Sequence, residues 1–163
     1  MITYLTGDAT VPQIEDGLRI IAHVCNDIGK WGAGFSGALS ARWKAPEQYF
    51  KKQYRHAKPK PKLGDVQWVF TELDIGVVNM IAQRGVRSSA EPKPIRYDAL
   101  ERCLEAAAEG ARACAGMDEW SHKRLTFHMP RIGCGLAGGT WDRVGPLIEE
   151  VLWDIEVFVY DLP

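Results

Sequence analysis

The sequence predicts an α/β fold of three layers, in which helices cover both faces of a central mixed, mostly parallel sheet of about six strands. Short apolar segments typical of strands alternate along the chain with segments of helical periodicity. Two of the predicted strands are each followed by a glycine-rich loop that opens a helix, as in the strand–helix units of parallel sheets. The 163 residues are enough for one substantial core, so we expect a single domain spanning residues 1–163.

The first half of the chain is predicted to contain two strands, a glycine-rich loop and two helices. Residues 2–5 form a short apolar strand, and residues 18–24 form a second strand whose nearly continuous apolar character indicates burial on both faces. The loop at residues 26–35 carries three glycines and opens a helix over residues 36–43. Pro46 suits the first turn of a further helix that we expect to end near residue 56.

The second half repeats this alternation. A tight turn near Asp74 joins two predicted strands, and the most regular helix places Leu100, Leu104 and Ala107 three or four positions apart. The predicted elements are strands at residues 65–72, 75–82, 125–129 and 155–160, helices at residues 97–115 and 141–153, and a second glycine-rich loop at residues 130–139.

Composition and charge exclude several classes of protein. With 20 Lys and Arg against 21 Asp and Glu, the net charge of −1 excludes binding to nucleic acid by bulk charge, although a local basic patch is still allowed. No apolar run approaches the roughly 20 residues that span a bilayer, and the first residues do not resemble a signal peptide, so we expect no membrane association and a cytoplasmic location. The four cysteines have no zinc or redox spacing, so we expect free thiols, no metal site and no cofactor.

The two glycine-rich loops indicate a phosphate-binding site. Ligands of open α/β sheets bind at the carboxyl ends of the strands, where glycines allow backbone N–H groups to approach a phosphate and a helix N-terminus adds positive charge. Neither loop ends in Gly-Lys-Ser/Thr, which excludes a nucleoside-triphosphate P-loop. The spacing of residues 133–138 matches a dinucleotide motif, but it lies near the C-terminus instead of after the first strand. Two loops in one small domain favour a diphosphate held between them.

An ordered set of motifs resembles the macrodomain family over essentially the whole chain. The motifs are Gly7-Asp8-Ala9, Ala22-His23-Val24-Cys25-Asn26-Asp27, Gly32-Ala33-Gly34-Phe35, and Met129-Pro130-Arg131-Ile132-Gly133-Cys134-Gly135-Leu136-Ala137-Gly138-Gly139 followed by Trp141. The last motif is most similar to the branch that contains the terminal ADP-ribose protein glycohydrolases and their bacterial relatives. The resemblance implies a macrodomain fold and ADP-ribose as the ligand, whose diphosphate suits a cradle of two loops.

The resemblance also implies a role for each matching position. Asp8 would accept a hydrogen bond from the adenine amino group, with the backbone N–H of Ala9 nearby. Asn26 and Asp27 would lie beside the distal ribose, and Tyr160 would flank the adenine. The implied phosphate-loop and neighbouring ligand-binding positions are Trp31, Gly32, Ala33, Gly34 and Phe35 in the first loop, and Arg131, Ile132, Gly133, Cys134, Gly135, Leu136 and Ala137 in the second.

The chain departs from this branch at two catalytic positions. Where the glycohydrolases have a lysine that forms a covalent sugar adduct, Gln83 stands here, and Ala137 replaces an aspartate. Glutamine cannot form a Schiff base and alanine cannot accept a proton. We therefore expect hydrolysis through a water placed by Asn26, Asp27 or Gln83, with ADP-ribose and an ADP-ribosylated protein as partners. An ester to glutamate or aspartate has a good leaving group and suits a site without a strong acid. Two alternatives stay open, which are a non-catalytic reader of ADP-ribose and a phosphatase acting on ADP-ribose 1″-phosphate.

Several of these residues have a plain structural interpretation. Asp8 could be a capping residue, and Asp27 could stabilise a turn. Trp31 could pack beneath the loop, and Arg131 could pair with a carboxylate of the fold. His23, His128 and Cys25 are expected to be buried structural residues, the thiol of Cys134 is expected to be a bystander, and nothing in the sequence indicates more than a monomer.

Overall fold

The computed structural model describes all residues from Met1 to Pro163 and contains six strands and four helices. In chain order the elements are β1 (Ile2–Thr6), β2 (Leu18–Asn26), α1 (Phe35–Arg42), α2 (Ala45–His56), β3 (Val66–Glu72), β4 (Ile75–Gln83), α3 (Tyr97–Ala115), β5 (Leu125–Met129), α4 (Trp141–Val151) and β6 (Glu156–Asp161). No helix is both long enough and apolar enough to cross a membrane.

The six strands form one sheet in the order β1-β6-β5-β2-β4-β3. Neighbouring strands are parallel except for β3, which pairs with β4 in the antiparallel sense at one edge. The predicted mixed, mostly parallel sheet of about six strands is therefore confirmed. Because β2 and β4 lie side by side at the centre, the loops that follow them meet at one edge of the sheet.

Alternating side chains of the central strands explain the three layers. Successive residues of a strand point to opposite faces. On β2, Ile20 belongs to the large core that includes Leu104 of α3 and Ile148 of α4, whereas Ile21 packs with Leu39 of α1. The helix pairs thus cover opposite faces of the sheet, and both faces of the central strands are buried, as their continuous apolar sequence predicts.

Two element boundaries differ by two residues from the sequence prediction, and the other bounds agree to within one residue. Strand β2 runs two residues beyond Val24, and Asn26, which the prediction placed in the glycine-rich loop, pairs with Gln83 across the ladder after a register shift. The pairing with β4 holds this polar end in the strand, and an apolar pattern cannot reveal such pairing. The last helix ends at Val151 instead of residue 153, because Leu152 leaves the helical conformation at its C-cap.

Candidate functional site

A cleft of about 800 Å³ lies at the carboxyl ends of the central strands, between the two glycine-rich loops. The first loop follows β2 and the second follows β5, which are adjacent parallel strands. The loops approach closely, because a Cβ placed on Gly34 would lie 3.9 Å from Leu136 Cδ1. Most of the residues predicted for the site line this cleft. They are Asp8, Ala9, Asn26, Trp31, Gly32, Ala33, Gly34, Phe35, Gln83, Arg131, Ile132, Gly133, Gly135, Leu136 and Ala137.

The first loop presents backbone donors at the start of helix α1. Gly34 is the N-cap residue and has φ +65°, a conformation that side chains with a Cβ rarely adopt. No side chain caps this helix. The backbone N–H groups of residues 33–36 have no acceptor within the protein, whereas that of Gly32 donates to Ser36 Oγ at 2.9 Å. An uncapped helix N-terminus with free N–H groups attracts anions.

The second loop is held by its own backbone and leaves a similar set of donors free. Gly133 has φ +71°, and its carbonyl accepts a hydrogen bond from Gly139 N at 2.8 Å. The N–H groups of Gly135, Leu136 and Ala137 have no protein acceptor. Two short rows of free backbone donors therefore belong to two loops that approach each other across the cleft.

Cys134 lies apart from the cleft walls. Its backbone N–H donates to Arg131 O at 3.3 Å, so the N–H predicted to bind phosphate is already used inside the loop. The half-buried thiol packs against the large core, and burial raises its pKa, which disfavours a thiolate. The thiol is thus a packing group, as expected, and the donors of this loop begin at Gly135.

Asn26 organises the first loop at the end of the cleft where β2 and β4 finish. Its Oδ1 accepts hydrogen bonds from Ile28 N at 3.1 Å and Lys30 N at 3.0 Å. Its Nδ2 donates to Lys30 O at 2.7 Å. The buried side chain has one N–H left to offer to a ligand, and its oxygen is already occupied by the loop. A role for Asn26 in placing water therefore rests on donation and not on acceptance of a proton.

Gln83 and Asp27 are both hydrogen-bonded to the backbone of Gly85. Gln83 Nε2 donates to Gly85 O at 2.9 Å, and Gly85 N donates to Asp27 Oδ1 at 2.7 Å. Gln83 lines the cleft and its Oε1 has no protein partner, whereas Asp27 is not among the lining residues. The contact of Asp27 agrees with the loop-stabilising interpretation, although it ties down the neighbouring loop and not its own. A direct catalytic role for Asp27 stays a prediction.

Trp31 forms part of the wall and is fixed from behind. Its indole Nε1 donates to Ser40 Oγ at 2.7 Å, and its ring packs edge-on against His23, with centroids 5.3 Å apart. His23 is buried and hydrogen-bonded to Asn79 Oδ1 at 2.6 Å through Nε2, and burial lowers its pKa to about 4. His23 is therefore neutral at physiological pH and structural, as expected, and Trp31 both packs and lines the cleft.

At the opposite end of the cleft, Asp8 makes a tight local turn. One carboxylate oxygen, Oδ1, accepts hydrogen bonds from the backbone N and the Oγ1 of Thr10, both at 2.8 Å. The other oxygen has no protein partner and is free to accept from a ligand. The backbone N–H of the buried Ala9 has no acceptor either. The adenine contacts implied for these two residues are geometrically open.

Arg131 and Tyr160 border the same end. Arg131 makes two hydrogen bonds to Asp161, at 2.6 and 2.8 Å, and lies against the rings of Tyr4 and Trp141. The carboxylate partner agrees with the expectation that Arg131 serves the fold, and the side chain still lines the cleft. The hydroxyl of Tyr160 accepts from Gln13 N and is hydrogen-bonded to the buried His128 at 2.9 Å, so both rings are held in place.

The structure adds lining residues that the sequence reasoning missed. Lys30 and Arg87 reach the cleft, and neither is in an ion pair. Lys30 lies inside the first glycine-rich loop, so its position next to Trp31 was an available signal. Arg87 lies in the loop between β4 and α3, and no motif in that loop marks it as a ligand contact. Both charges favour an anionic ligand. No group of three or more His, Cys, Asp or Glu side chains is arranged to hold a metal ion.

The fold and site define an α/β protein in which two loops with free backbone N–H groups border one cleft. No family model matches the chain. A protein of unknown function from Bacteroides thetaiotaomicron is 44% identical, with a TM-score of 0.88 over 99% of this chain and 98% of that one. A macrodomain protein from Streptomyces coelicolor is 42% identical, with a TM-score of 0.81 over 99% of each chain. The human ADP-ribose glycohydrolase OARD1 is 26% identical over 99% of this chain and 91% of its own length. The chain belongs to the macrodomain family.

Proposed function

We propose that this macrodomain binds ADP-ribose and hydrolyses the bond that joins ADP-ribose to a glutamate or aspartate side chain of a modified protein. The observation that carries the proposal is the pair of loops whose free N–H groups, at residues 33–36 and 135–137, border one cleft. These donors can hold two linked phosphates without competing with hydrogen bonds of the fold. The activity named for the human relative supports the hydrolytic step.

The orientation of the ligand follows from the two ends of the cleft. The free carboxylate oxygen of Asp8 and the N–H of Ala9 can accept from and donate to an adenine, next to the fixed ring of Tyr160. The diphosphate then lies between the loops, and the distal ribose reaches Asn26 and Gln83 at the far end. Lys30 and Arg87 add positive charge along this path.

The reacting end offers positioning groups and no strong acid. The Oε1 of Gln83 and the second N–H of Asn26 can orient a water molecule toward C1″ of the distal ribose. The water oxygen forms the new bond to C1″, the carboxylate of the modified side chain leaves with the electron pair of the old bond, and a proton passes to solvent. A carboxylate has an ordinary pKa near 4, so it leaves without protonation. An arginine-linked sugar needs acid assistance that this end does not supply.

A direct test is single-turnover release of ADP-ribose from a glutamate-linked peptide and from an arginine-linked peptide of the same sequence. We expect release from the ester alone, and a loss of at least tenfold in rate for Gln83→Ala, because a positioned water contributes about that much or more. The affinity for free ADP-ribose should fall much less than the rate in this variant, because the phosphate loops are intact. Release from arginine and not from glutamate would contradict the proposed linkage.

One structural observation favours a second function, which is a reader that binds without cleaving. The Asn26 oxygen and one Asp27 oxygen accept hydrogen bonds from loop N–H groups, and Gln83, which also lines this end, carries an amide that is neither an acid nor a base. The release experiment described above distinguishes the hydrolase from the reader. Tight binding of free ADP-ribose with no release from either peptide would replace the hydrolase by the reader, and release of inorganic phosphate from ADP-ribose 1″-phosphate would indicate the phosphatase.

A further inference from the structure

The positive charge of this nearly neutral protein is concentrated in one segment. Residues 42–62 hold eight of the 20 Lys and Arg but one of the 21 Asp and Glu. Arg42 lies over the ring of Trp43. Six further cations of this segment are exposed and in no ion pair, and we call them the basic surface; they are Lys44, Lys52, Arg55, Lys58, Lys60 and Lys62. Elsewhere, by contrast, most arginines on the helices and strand ends are paired with a carboxylate, as Arg112 is with Asp154.

The basic surface lies beside the reacting end of the cleft. Helix α2, which carries part of it, packs behind the first glycine-rich loop through its apolar side. Phe50 contacts Trp31, with ring centroids 5.2 Å apart, and Tyr54 Oη donates to Asn26 O at 3.3 Å. Trp31 and Asn26 both line the cleft. Lys52 and Arg55 are therefore carried by the helix that supports the end where the distal ribose is proposed to react, and the other four cations of the basic surface lie in the segments next to that helix in the chain.

We propose that the basic surface binds an acidic segment of the modified protein next to its ADP-ribosylated side chain. This inference rests on the proposed function, which places the distal ribose at the end of the cleft beside helix α2. Because the modified residue is attached to the distal ribose, the chain of the modified protein leaves the cleft at that end. A modified glutamate or aspartate that lies in an acidic sequence has negatively charged side chains on either side of it. Six free cations complement such a segment. Of the carboxylates close to them, Glu47 is paired with Lys51 at 2.7 Å, and Asp65 Oδ2 accepts a hydrogen bond from Lys62 N at 2.9 Å.

The test compares two peptides that carry ADP-ribose through a linkage that resists hydrolysis, one with acidic flanks and one with the acidic flanks replaced by Gln and Asn. Their dissociation constants are measured with the wild-type protein, with a K52Q/R55Q/K58Q variant, and with an R112Q/K123Q/R124Q control. The control removes the same charge at the opposite end of the sheet, where Asp154, Asp74 and Glu156 precede their strands or lie at their start. A binding measurement keeps this test independent of whether the protein hydrolyses anything.

We expect the wild-type protein to bind the acidic peptide about tenfold more tightly than the neutral one at low salt, because three or more partly solvated ion pairs each contribute a modest amount. The preference should fall below about twofold in K52Q/R55Q/K58Q, persist in the control, and disappear in high salt. Free ADP-ribose should bind all three proteins equally. An equal affinity for both peptides in the wild-type protein, or a preference retained in K52Q/R55Q/K58Q, would overturn the proposal.

The partner class is tested by a third ligand, a short single-stranded nucleic acid that carries ADP-ribose through the same resistant linkage. Acidic peptide is the expected partner because the proposed linkage is to a carboxylate side chain. If the nucleic acid binds more tightly than the acidic peptide, and if K52Q/R55Q/K58Q removes that advantage, the basic surface serves nucleic acid and the proposed partner is wrong.

Discussion

Gly135 is a position at which a substitution should change ligand affinity without changing the stability of the fold. It lines the cleft, its backbone does not have positive φ, and a Cβ placed on it would meet no protein atom within 4 Å. The neighbouring Gly139 is the opposite case, since its Cβ would lie 2.5 Å from Gly133 O. The absence of a side chain at Gly135 therefore leaves the loop N–H groups accessible, whereas at Gly139 it allows the loop to pack against its own backbone.

Gly135→Val should weaken binding of ADP-ribose by at least tenfold, because the new side chain projects beside the free N–H groups of Leu136 and Ala137. The melting temperature without ligand should change little, because the Cβ meets no neighbour. Calorimetric titration and thermal unfolding measure the two quantities. Gly139→Ala is the matched control and should lower the melting temperature; full binding by Gly135→Val would show that the phosphates do not approach this loop.

At the scale of single elements, two buried histidines link the central strands to their surroundings. His23 of β2 is hydrogen-bonded to Asn79 of β4, and His128 of β5 lies between Thr126 and Tyr160. Burial lowers the pKa of each to about 4, so the folded protein holds both in the neutral form well below the ordinary value of 6.5. Between about pH 6.5 and pH 4 the unfolded chain therefore binds those two protons and the folded protein does not.

The free energy of unfolding should therefore fall as the pH is lowered from about 6.5 to about 4, by several kcal/mol if both histidines contribute, since each pKa unit corresponds to about 1.4 kcal/mol. Above pH 7 the histidine contribution should be constant. Urea unfolding at a series of pH values measures this. His128→Gln should reduce the slope in that interval whatever its stability at neutral pH, and a slope that is unchanged would show that His128 is not held neutral.

At the scale of the whole molecule, the cleft is bounded by segments far apart in sequence. Asp8 follows β1, the two loops follow β2 and β5, and Gln83 ends β4. A ligand that contacts all of them ties together strands from both sides of the sheet. Since such a ligand binds the folded chain and not the unfolded one, its binding free energy adds to stability.

Saturation with ADP-ribose should accordingly stabilise the protein by about 3 kcal/mol at 100 times the dissociation constant, which corresponds to a rise of several degrees in melting temperature for a chain of this size. Thermal unfolding with and without ligand measures the shift. AMP, which has adenine and one phosphate, is the matched control and should give a smaller shift. An equal shift with AMP would mean that the second loop and the distal end make no contact.

Local sequence patterns were enough to predict the fold class and the position of the two glycine-rich loops after strands. The apolar runs at residues 18–24 and 75–82 predicted strands, the first of them buried on both faces, and the structure confirms both strands. Glycine-rich segments after two strands predicted the phosphate cradle, and they lie on the two sides of one cleft. These features are local, so the order of residues is sufficient to reveal them.

The tertiary structure alone decided which polar groups are free. The sequence makes Asn26 and Asp27 candidates for placing a water, but the folded chain uses the Asn26 oxygen and one Asp27 oxygen on loop N–H groups. It also brings Arg87 into the cleft from a loop with no distinguishing pattern. Hydrogen-bond partners and exposure depend on contacts between residues distant in sequence, and no local pattern encodes them.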